Sequence, residues 1–482
     1  YPIDGLPSLV DEPLPNKPGD ISTNKESRRQ YRKRAARIHF ENERQKSKRI
    51  QVMKVLNLGD KFSNDTISFV RQMDFRGRGY PVPYFLQIQG PSYVQSLLKF
   101  SRGKTLTESG AMWLYIYAAS KWGLDKSSYK DRLKWSEENI KFIRRIGESP
   151  IENKDWADAD DPWLFKEACV EINRMHSQGQ SFSSTLPISL DATNQGLQIY
   201  IMMLRDSKGA PSVNVTDGES PQSIYKNVAK GKTDDPIPAL VKAAKRPTMT
   251  LVYGSTFFSC RGYTADWFYS LLKSGRINPF KEETYRPCNF LASLIWESID
   301  QEVKAAKIGM DWLRQSAQLF VDHKVTPKWI TPLGFPVKMY YENTNKYAVK
   351  TLVGGVLRQH RIRTPNGTTN KRKTVNAICA NFIHSLDGFG GLLGSITNLA
   401  SESGVRDIKD QHDSIGVHAS DVDVMQRCIR QATVELFKEN QLENLANQLE
   451  PQLPSGVSLP TLPDLGTLNI EEVLRSKYYF NV

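Results

Sequence analysis

Two short stretches of the sequence combine a carboxylate with neighbours suited to phosphate or metal chemistry. Asp74 to Arg78 places two arginines around a glycine, so the backbone can approach a ligand while the guanidinium groups reach a phosphate or carboxylate. The alternative there is a surface turn closed by an Asp–Arg pair. Asp191 follows a short apolar stretch. It could hold a metal ion with a neighbouring backbone carbonyl, or it could cap the following helix.

Two further stretches have the same character. Lys245, Met249 and Tyr253 recur every four residues, so a helix would present them on one face. Lys245 and Arg246 would meet a triphosphate, and a helix N-terminus would add its own attraction; the alternative is a basic amphipathic helix whose Met and Tyr lie in the core. The His412–Asp413 pair stands between two strand-like segments. It could present a carboxylate at a hairpin tip or form an ordinary surface turn.

Composition limits the classes of protein that fit this chain. Its 482 residues include 65 Lys and Arg against 52 Asp and Glu, a net charge of +13 that indicates a polyanionic partner. Apolar residues make up 39% and charged residues 24%, as is typical of a globular protein. The longest apolar run, residues 111–119, is far shorter than the ~20 residues that span a bilayer, which excludes a membrane protein. Five scattered cysteines without a CxxC pair predict no zinc site.

The elements that must position these residues are predicted from periodicity and turn signals. Dense lysine and arginine in residues 25–49 predict a basic helix that grips a phosphate backbone, with a solvated helix face as the alternative. Five further elements are predicted: a core helix at 111–122, a long amphipathic stretch at 290–321, a hairpin at 329–341 around a Pro-Leu-Gly turn, a basic loop or hairpin tip at 358–373 centred on Pro365, Asn366 and Gly367, and a short helix pattern at 468–482.

In this order and at these distances, the motifs resemble those of the single-subunit RNA polymerases of bacteriophages and mitochondria, and of the phage branch in particular. The matching segments are Asp74–Arg78, motif A at Asp191, motif B from Lys245 to Gly254, Asn381–Ser385, and motif C at His412 and Asp413. A further likeness extends over nearly the whole chain; it includes Leu14–Pro18, Trp296–Ser298, Trp329–Pro332 and the aromatic tail.

The resemblance implies a right-hand polymerase of the α+β class, mostly helical, with thumb, palm and fingers and a small antiparallel palm sheet. The implied divisions are a basic helical thumb at 1–64, palm parts at 65–92, 182–207 and 385–482, a helical palm insertion at 93–181, and fingers at 208–384 that include a specificity hairpin at 346–375. The chain is expected to lack the family's N-terminal domain, which either was removed or is supplied by a second polypeptide.

The resemblance also assigns roles at the site. Asp191 and Asp413, with the Ala192 carbonyl, would bind two Mg²⁺ ions that activate the 3′-hydroxyl and stabilise the leaving pyrophosphate. Lys245 and Arg246 would neutralise the triphosphate. Further residues are expected in the nucleotide site or beside it: Arg78, Lys126, Tyr225, Met249, Tyr253, Gly254, His384 and His412. On the hairpin, Arg358, Arg361 and Arg363 are candidate readers of promoter bases, with a generic phosphate clamp as the alternative.

Two other functions compete with RNA synthesis. Related DNA polymerases carry a bulky Glu five residues after the motif A Asp, where it blocks a ribose 2′-hydroxyl; here that position is Gly196, and Tyr253 could hydrogen-bond the 2′-hydroxyl. A catalytically silent DNA-binding subunit would need neither Asp191 nor Asp413. Expected partners are therefore a DNA template, ribonucleoside triphosphates and the RNA product. No association with a membrane is expected. The expected location is the cytoplasm of an infected bacterium, with the mitochondrial matrix as the alternative.

Three departures from the family pattern qualify these expectations. Val241 stands where relatives carry an Arg four residues before the motif B Lys, and Lys242 would point ~100° away from that position on a helix. Pro247 fits a helix only near its first turn or at a kink. The segment before motif C is polar where relatives are apolar; we still expect a strand there, with Asp410 as a rival to Asp413.

Overall fold

The computed structural model describes residues 10–230, 238–273, 276–280 and 283–482. Helices in these residues are α1 (Lys25–Lys61), α2 (Ser92–Gln95), α3 (Glu108–Ala119), α4 (Tyr129–Glu138), α5 (Ile140–Glu148), α6 (Pro162–Gln178), α7 (Gln195–Leu204), α8 (Ile224–Lys230), α9 (Pro238–Leu251), α10 (Phe257–Lys273), α11 (Tyr285–Glu302), α12 (Lys304–Asp322), α13 (Lys371–Asp387), α14 (Leu392–Glu402), α15 (Val422–Phe437) and α16 (Gln441–Leu449). Strands are β1 (Arg71–Met73), β2 (Gly79–Pro81), β3 (Lys104–Thr105), β4 (Ser183–Ser184), β5 (Ile188–Ala192), β6 (Lys328–Ile330), β7 (Pro336–Lys338), β8 (Glu342–Val353), β9 (Val356–Thr369), β10 (Lys409–Asp410), β11 (Ser414–Val417) and β12 (Phe480–Asn481). The predicted mostly helical α+β class is confirmed.

A four-stranded antiparallel sheet organises the centre of the molecule. Its strand order is β10-β11-β5-β12, so β5 lies between β11 and the C-terminal strand β12. Ile188 and Leu190 of β5 are fully buried, as are Ile415 and Val417 of β11. These apolar side chains fix the register, because a shift by one residue would turn them to the other face. The strand expected before motif C is present as the short β10.

The helix after β5 explains why Asp191 is free for another role. Asn194 is the N-cap of α7, and its side chain accepts a hydrogen bond from the Leu197 N–H at 3.1 Å. Every residue of α7 is buried, as expected for a helix enclosed on all sides. The capping alternative for Asp191 is therefore excluded by geometry, because the cap is three residues further on.

One apolar core joins most of the chain. It extends from Trp113 of α3 to Val482 and includes the four-stranded sheet, α7, α12 and α13. The core helix expected at 111–122 is confirmed as α3, which is followed by a short π-helical turn at Ser120–Leu124. None of the described helices is long and apolar enough to cross a membrane. All five cysteines are buried and free.

Several predicted element boundaries differ from the structure. The amphipathic stretch at 290–321 is two helices, α11 and α12, which meet at Val303. Pro247 lies in the interior of α9, so of the two positions expected for it, the first turn or a kink, the first turn is excluded. The tail is a 3₁₀ helix at Ile470–Arg475 followed by β12, so the helix pattern expected over 468–482 is wrong at its end. The strand forms there because β5 offers an open edge.

The hairpin tip was placed wrongly by the sequence. The small hairpin β6–β7 is confirmed at its predicted place. In the longer hairpin, β8–β9, the tip is Gly354–Gly355, with φ of 57° and 77°. Two consecutive residues with positive φ suit glycine best, and they match the twist of the flanking strands. The Pro-Asn-Gly signal at 365–367 instead lies near a register shift at the base of the hairpin.

The basic N-terminal helix is confirmed and is longer than predicted. It runs to Lys61, and its Asn24 cap accepts hydrogen bonds from the Glu26 and Ser27 N–H groups. Val55 is its one buried residue, so the helix projects from the molecule. Arg37 lies 4.6 Å above the ring of Tyr269 on α10, which places this part of α1 beside the α9–α11 helices.

Candidate active site

Asp191 and Asp413 are brought together by two paired strands. Ser414 of β11 pairs with Asp191 of β5, and the Ala192 N–H donates to the Asp413 carbonyl at 3.0 Å. Although the Asp413 side chain is open to solvent, the surrounding protein and the Asp191 carboxylate raise its pKa to about 6. Two like charges in one place form an environment that favours a cation. The rival residue Asp410 is buried in an ion pair with Arg71, so its carboxylate is already neutralised by a side chain of the protein.

His412 occupies a strained backbone position beside Asp413. Its φ is 65°, in the left-handed region that few non-glycine residues adopt. Both ring nitrogens are buried without a hydrogen-bond partner among the described residues. The ring contacts Tyr80 edge-on at 4.9 Å. Burial and the nearby Arg78 lower the pKa of His412 to about 4, so the imidazole is neutral at pH 7. Strain and unpaired polar atoms of this kind cluster at functional sites.

The Asp74–Arg78 segment docks against the end of α13. Arg78 donates two hydrogen bonds to Asp387, at 2.8 and 2.5 Å. Burial lowers the pKa of Arg78, but the Asp387 carboxylate more than offsets this, and the guanidinium stays charged. Arg76 reaches His384 Nδ1 at 2.6 Å and also pairs with Asp74. The Asp–Arg pair of the surface-turn alternative is therefore present. The segment is not a free surface turn, because Arg78 and Arg76 bind side chains of α13.

Tyr253 lies between Gly196, which follows motif A, and His384 of α13. It lies in the turn after α9, because the helix ends at Leu251, so the shared helix face predicted for residues 245–253 is interrupted. Its ring lies 4.8 Å from that of His384. A Cβ atom on Gly196 would lie 3.0 Å from the Tyr253 hydroxyl oxygen, so the two residues are in direct contact. Burial raises the pKa of Tyr253, which keeps the hydroxyl protonated.

The two motif B cations point to different neighbours. The Lys245 ammonium lies 6.0 Å from the ring of Tyr225, whose hydroxyl donates to the Thr193 carbonyl at 3.1 Å. Lys245 thus faces motif A. Arg246 instead lies 4.2 Å above the ring of Tyr263 and pairs with Asp266 at 3.6 Å, both on α10.

Two other motif B residues border the same region. Met249 is 42% exposed, so it is not a core residue. Gly254 has φ of 92°, and a Cβ there would lie 2.8 Å from the Asn376 carbonyl oxygen. Only glycine fits this turn, because it both lacks a side chain and adopts positive φ freely.

The remaining predicted site residues lie farther out. Lys126 is exposed and pairs with its neighbour Asp125 at 2.5 Å. On the long hairpin, Arg361 and Arg363 pair with Ala348 and Lys346, whereas Arg358 pairs with Thr351. Side chains alternate along a strand, so Arg358 is on the opposite face from the other two arginines.

Sequence reasoning missed two residues of the site. Asp387 holds Arg78, and the signal for it was its place two residues after the matched segment Asn381–Ser385, on the same helix α13. Asn481 of β12 pairs directly with Asp191. Nothing in the local sequence around Asn481 marks it, because its role depends on a strand pairing across most of the chain.

The known proteins that match this chain are RNA polymerases. A family model described as DNA-dependent RNA polymerase matches residues 104–458. The chain belongs to the DNA-dependent RNA polymerase family. T7 RNA polymerase of Escherichia phage T7 is 30% identical over 542 aligned residues, covering 99% of this chain and 61% of that protein. DNA-directed RNA polymerase of Enterobacteria phage T3 is 29% identical, over 99% of this chain and 60% of that protein.

Organelle polymerases are similar to the same extent. DNA-directed RNA polymerase 1, mitochondrial, of Arabidopsis thaliana is 29% identical over 99% of this chain and 50% of that protein. The chain therefore spans 61%, 60% and 50% of the lengths of these three RNA polymerases. The resemblance to the single-subunit RNA polymerases is confirmed.

Proposed function

We propose that this chain catalyses template-directed transfer of ribonucleotides to a growing RNA. The observation that carries the proposal is the strand pairing that sets Asp191 beside Asp413, in a member of the DNA-dependent RNA polymerase family. The architecture that supports it is a right hand, in which α1 serves as thumb, the β5 sheet as palm and α8–α13 as fingers. Its substrates are a DNA template and ribonucleoside triphosphates.

Asp191 and Asp413 are the proposed ligands of two Mg²⁺ ions, with the Ala192 carbonyl as a third oxygen. The described residues contain no cluster of three or more His, Cys, Asp or Glu side chains. Two carboxylates are nonetheless enough, because Mg²⁺ takes few protein ligands and leaves the rest to phosphate and water. The raised pKa of Asp413 supports the fit, since its cause includes an adjacent carboxylate that a cation would neutralise. Bound Mg²⁺ supplies Lewis-acid stabilisation of phosphoryl transfer.

The residues around this pair act on the nucleotide. Lys245 faces motif A and would neutralise triphosphate charge. Arg78 is held rigid by Asp387, so it presents a fixed positive charge at low conformational cost. The rings of His384 and Tyr253 lie 4.8 Å apart at an angle of 41° and form an apolar surface with the Tyr253 hydroxyl at its edge. Burial and the nearby Arg78 and Arg76 lower the pKa of His384 to about 2, so its ring is neutral.

Contact between Gly196 and Tyr253 favours ribonucleotides over deoxyribonucleotides. The competing DNA polymerase function would place a bulky side chain five residues after Asp191, but even a Cβ there would lie 2.7 Å from Val252 Cγ2. The space is therefore reserved for the Tyr253 hydroxyl, which can donate to a ribose 2′-hydroxyl. A silent DNA-binding subunit would not need the Asp191–Asp413 pair.

The partners and the location follow from the same proposal. Duplex DNA would lie along the basic hairpin and α1, and the RNA product would leave the palm. Regions of the relatives outside the aligned part would be contributed by the same polypeptide or by a second one. The setting would be the cytoplasm of an infected bacterium, with the mitochondrial matrix as the alternative.

The test is extension of an RNA primer on a DNA scaffold by Asp413→Asn and Asp191→Asn variants. Both should lose nucleotide addition by several orders of magnitude and keep template affinity, because DNA is held mainly by basic residues elsewhere. Asp158→Asn, an exposed Asp in the helical insertion, is the matched control and should behave like the parent. Efficient extension by either active-site variant contradicts the proposal.

A further inference from the structure

Arg132 is a fully buried arginine with no assigned role. It lies in α4 and has no solvent-exposed surface. All five of its N–H groups donate: Nε to the Ser127 carbonyl at 2.9 Å, Nη1 to Ser120 Oγ at 2.9 Å and to the Val482 carbonyl at 2.6 Å, and Nη2 to the Asp125 carbonyl at 2.7 Å and to Asn481 Oδ1 at 3.0 Å. The donor capacity of the guanidinium is thus completely used.

These bonds join β12, which borders Asp191, to a loop that lies farther out. In β12, Asn481 pairs with Asp191 and Phe480 with Ala192. The loop is Asp125–Ser127, which carries Lys126. Asn481 Nδ2 also donates to the Asp125 carbonyl at 3.0 Å. Arg132 and Asn481 therefore form a single clasp between the loop and the edge of β5.

Stability alone does not account for a charge at this place. No side-chain carboxylate is among the five hydrogen-bond partners, which are amide, hydroxyl and main-chain oxygens. The Tyr129 ring, 5.1 Å away, and the nearby Asp125 carboxylate are the further groups that favour the charge. Burying a charge is costly, and well-packed apolar residues often serve stability equally well or better. What apolar packing cannot do is fix the orientation of a strand, whereas a planar fork with five donors can.

We propose that Arg132 is a positioning residue that holds β12 against β5 and thereby sets the place of Asp191 and Ala192 relative to the Lys126 loop. The inference rests on the proposed metal role of Asp191. Arg132 touches neither Asp191 nor a substrate; it acts through Asn481. Loss of the clasp removes the side-chain support that Arg132 gives to Asn481 and Val482, so the pairing of β12 with β5 is held less firmly at Asp191.

The experiment compares Arg132→Gln, Asn481→Ala and the double variant. Mn²⁺ binding is measured by loss of the free-ion EPR signal, and KM and kcat for nucleotide addition are measured on a primed scaffold. Residues that orient metal ligands typically matter by ten- to hundredfold. Each single variant should weaken the Mn²⁺ affinity and raise KM for the nucleotide by about tenfold or more. The double variant should lose no more Mn²⁺ affinity than the more damaging of the two single variants, because both substitutions break the same clasp.

Controls separate positioning from folding. Arg145→Gln, which removes an exposed ion pair with Asp155 in the same helical unit, should leave both readouts unchanged. Arg132→Lys should restore part of the Mn²⁺ affinity. A purely structural Arg132 would lower the folded fraction, seen by circular dichroism, and leave Mn²⁺ affinity and KM of the folded fraction unaltered; that result overturns the proposal, and so do additive effects in the double variant.

The same data distinguish this inference from the proposed function. If the parent protein adds no nucleotide but has an Asp191-dependent Mn²⁺ site that Arg132→Gln weakens, the positioning role holds and the proposed reaction fails. If the parent adds nucleotides and Arg132→Gln changes neither Mn²⁺ affinity nor KM, only the positioning role fails. Absence of any Asp191-dependent Mn²⁺ site overturns both.

Discussion

At the residue scale, the contact between Gly196 and Tyr253 leads to a prediction about sugar choice. Tyr253→Phe removes one hydroxyl and leaves the ring against His384. Loss of one hydrogen bond costs about 1 kcal/mol, so discrimination against deoxynucleotides should fall about five- to tenfold with kcat largely kept. The measurement is the ratio of kcat/KM for a ribonucleotide and its deoxy analogue on one scaffold. Tyr263→Phe on α10 is the control, and an unchanged ratio for Tyr253→Phe counts against the role.

A second residue, Lys409, gives a pH-dependent stability. It is buried in β10 and donates to Gln95 at 2.7 Å. Burial, with Lys121 nearby, lowers its pKa to about 8. A lysine with a lowered folded pKa binds fewer protons folded than unfolded between that value and its usual ~10.4. The wild-type protein should therefore gain stability as pH rises from 8 towards 10.

Lys409→Met tests this directly. The variant should be more stable than the parent at pH 7 by about 1–3 kcal/mol, because a buried charge is replaced by an apolar group of similar length. The difference should shrink at pH 9.5, as measured by urea denaturation. Lys134→Met, at an exposed position of α4, is the control. A stability gain that does not depend on pH would show that desolvation of the ammonium is not the cause.

The identities of the motif residues were predictable from order and spacing, but their orientations were not. Lys245 and Arg246 are adjacent, and the sequence assigned both to one triphosphate. In the structure Arg246 lies against Tyr263 and Asp266 instead. Adjacent residues on a helix point ~100° apart, and which of them faces the site depends on how α9 packs on α10, a tertiary property.

At the element scale, the long hairpin has one basic and one largely apolar face. Lys346, Lys350, Arg361 and Arg363 share a face, since Lys346 pairs with Arg363 and Lys350 with Gln359. The other face carries Tyr347, Val349 and Ile362 together with Arg358 and His360. The three candidate DNA-reading arginines are therefore not equivalent.

This difference can be measured through salt dependence. The double variant Arg361→Gln/Arg363→Gln should lower the slope of log K against log[salt] for duplex DNA by about 0.9 for each phosphate that the hairpin no longer neutralises. Arg358→Gln should change the slope by less, because no other lysine or arginine lies on its face of the hairpin. Equal effects of all three arginines would mean that the hairpin wraps DNA on both faces.

Element existence was well predicted and element ends were not. The Pro-Asn-Gly sequence is a strong turn signal, yet the chain turns at Gly354–Gly355, where both strands can continue for more than ten residues. Cross-strand pairing over that length outweighs a local turn preference. The same competition between local signal and partner decides the tail, where β5 recruits residues 480–481 as a strand.

At the scale of the whole molecule, α1 makes a large contribution to the net charge of +13, because it holds 13 lysine and arginine residues against four acidic residues. Arg29, Arg32 and Lys33 of α1 are exposed and lie within one helical turn. Arg37, one turn further, contacts Tyr269 of α10, so this face of α1 is turned towards α10. Under the proposed function, nucleic acid would bind along this face.

Replacing Arg29, Arg32 and Lys33 by Gln should weaken binding of a primed template and leave kcat at saturating template nearly unchanged. The salt slope should fall by the equivalent of one to three neutralised phosphates, each worth about 0.9 in B-DNA. Titration by fluorescence anisotropy at several salt concentrations provides the measurement. A fall in kcat with unaltered template affinity would show that α1 acts on the reaction and not on DNA retention.

The pairing of β5 with β11 and β12 also governs how the protein is made. During synthesis β5 emerges from the ribosome long before either strand that covers its edges. Until residues 414–417 and 480–481 follow, it is an apolar strand with two open sides, a form prone to intermolecular pairing. Contacts so distant in sequence also form slowly. The four-stranded sheet can therefore be completed only after residues 480–481 have been synthesised, and the yield of folded protein should depend on chaperones that shield the nascent chain in the interval.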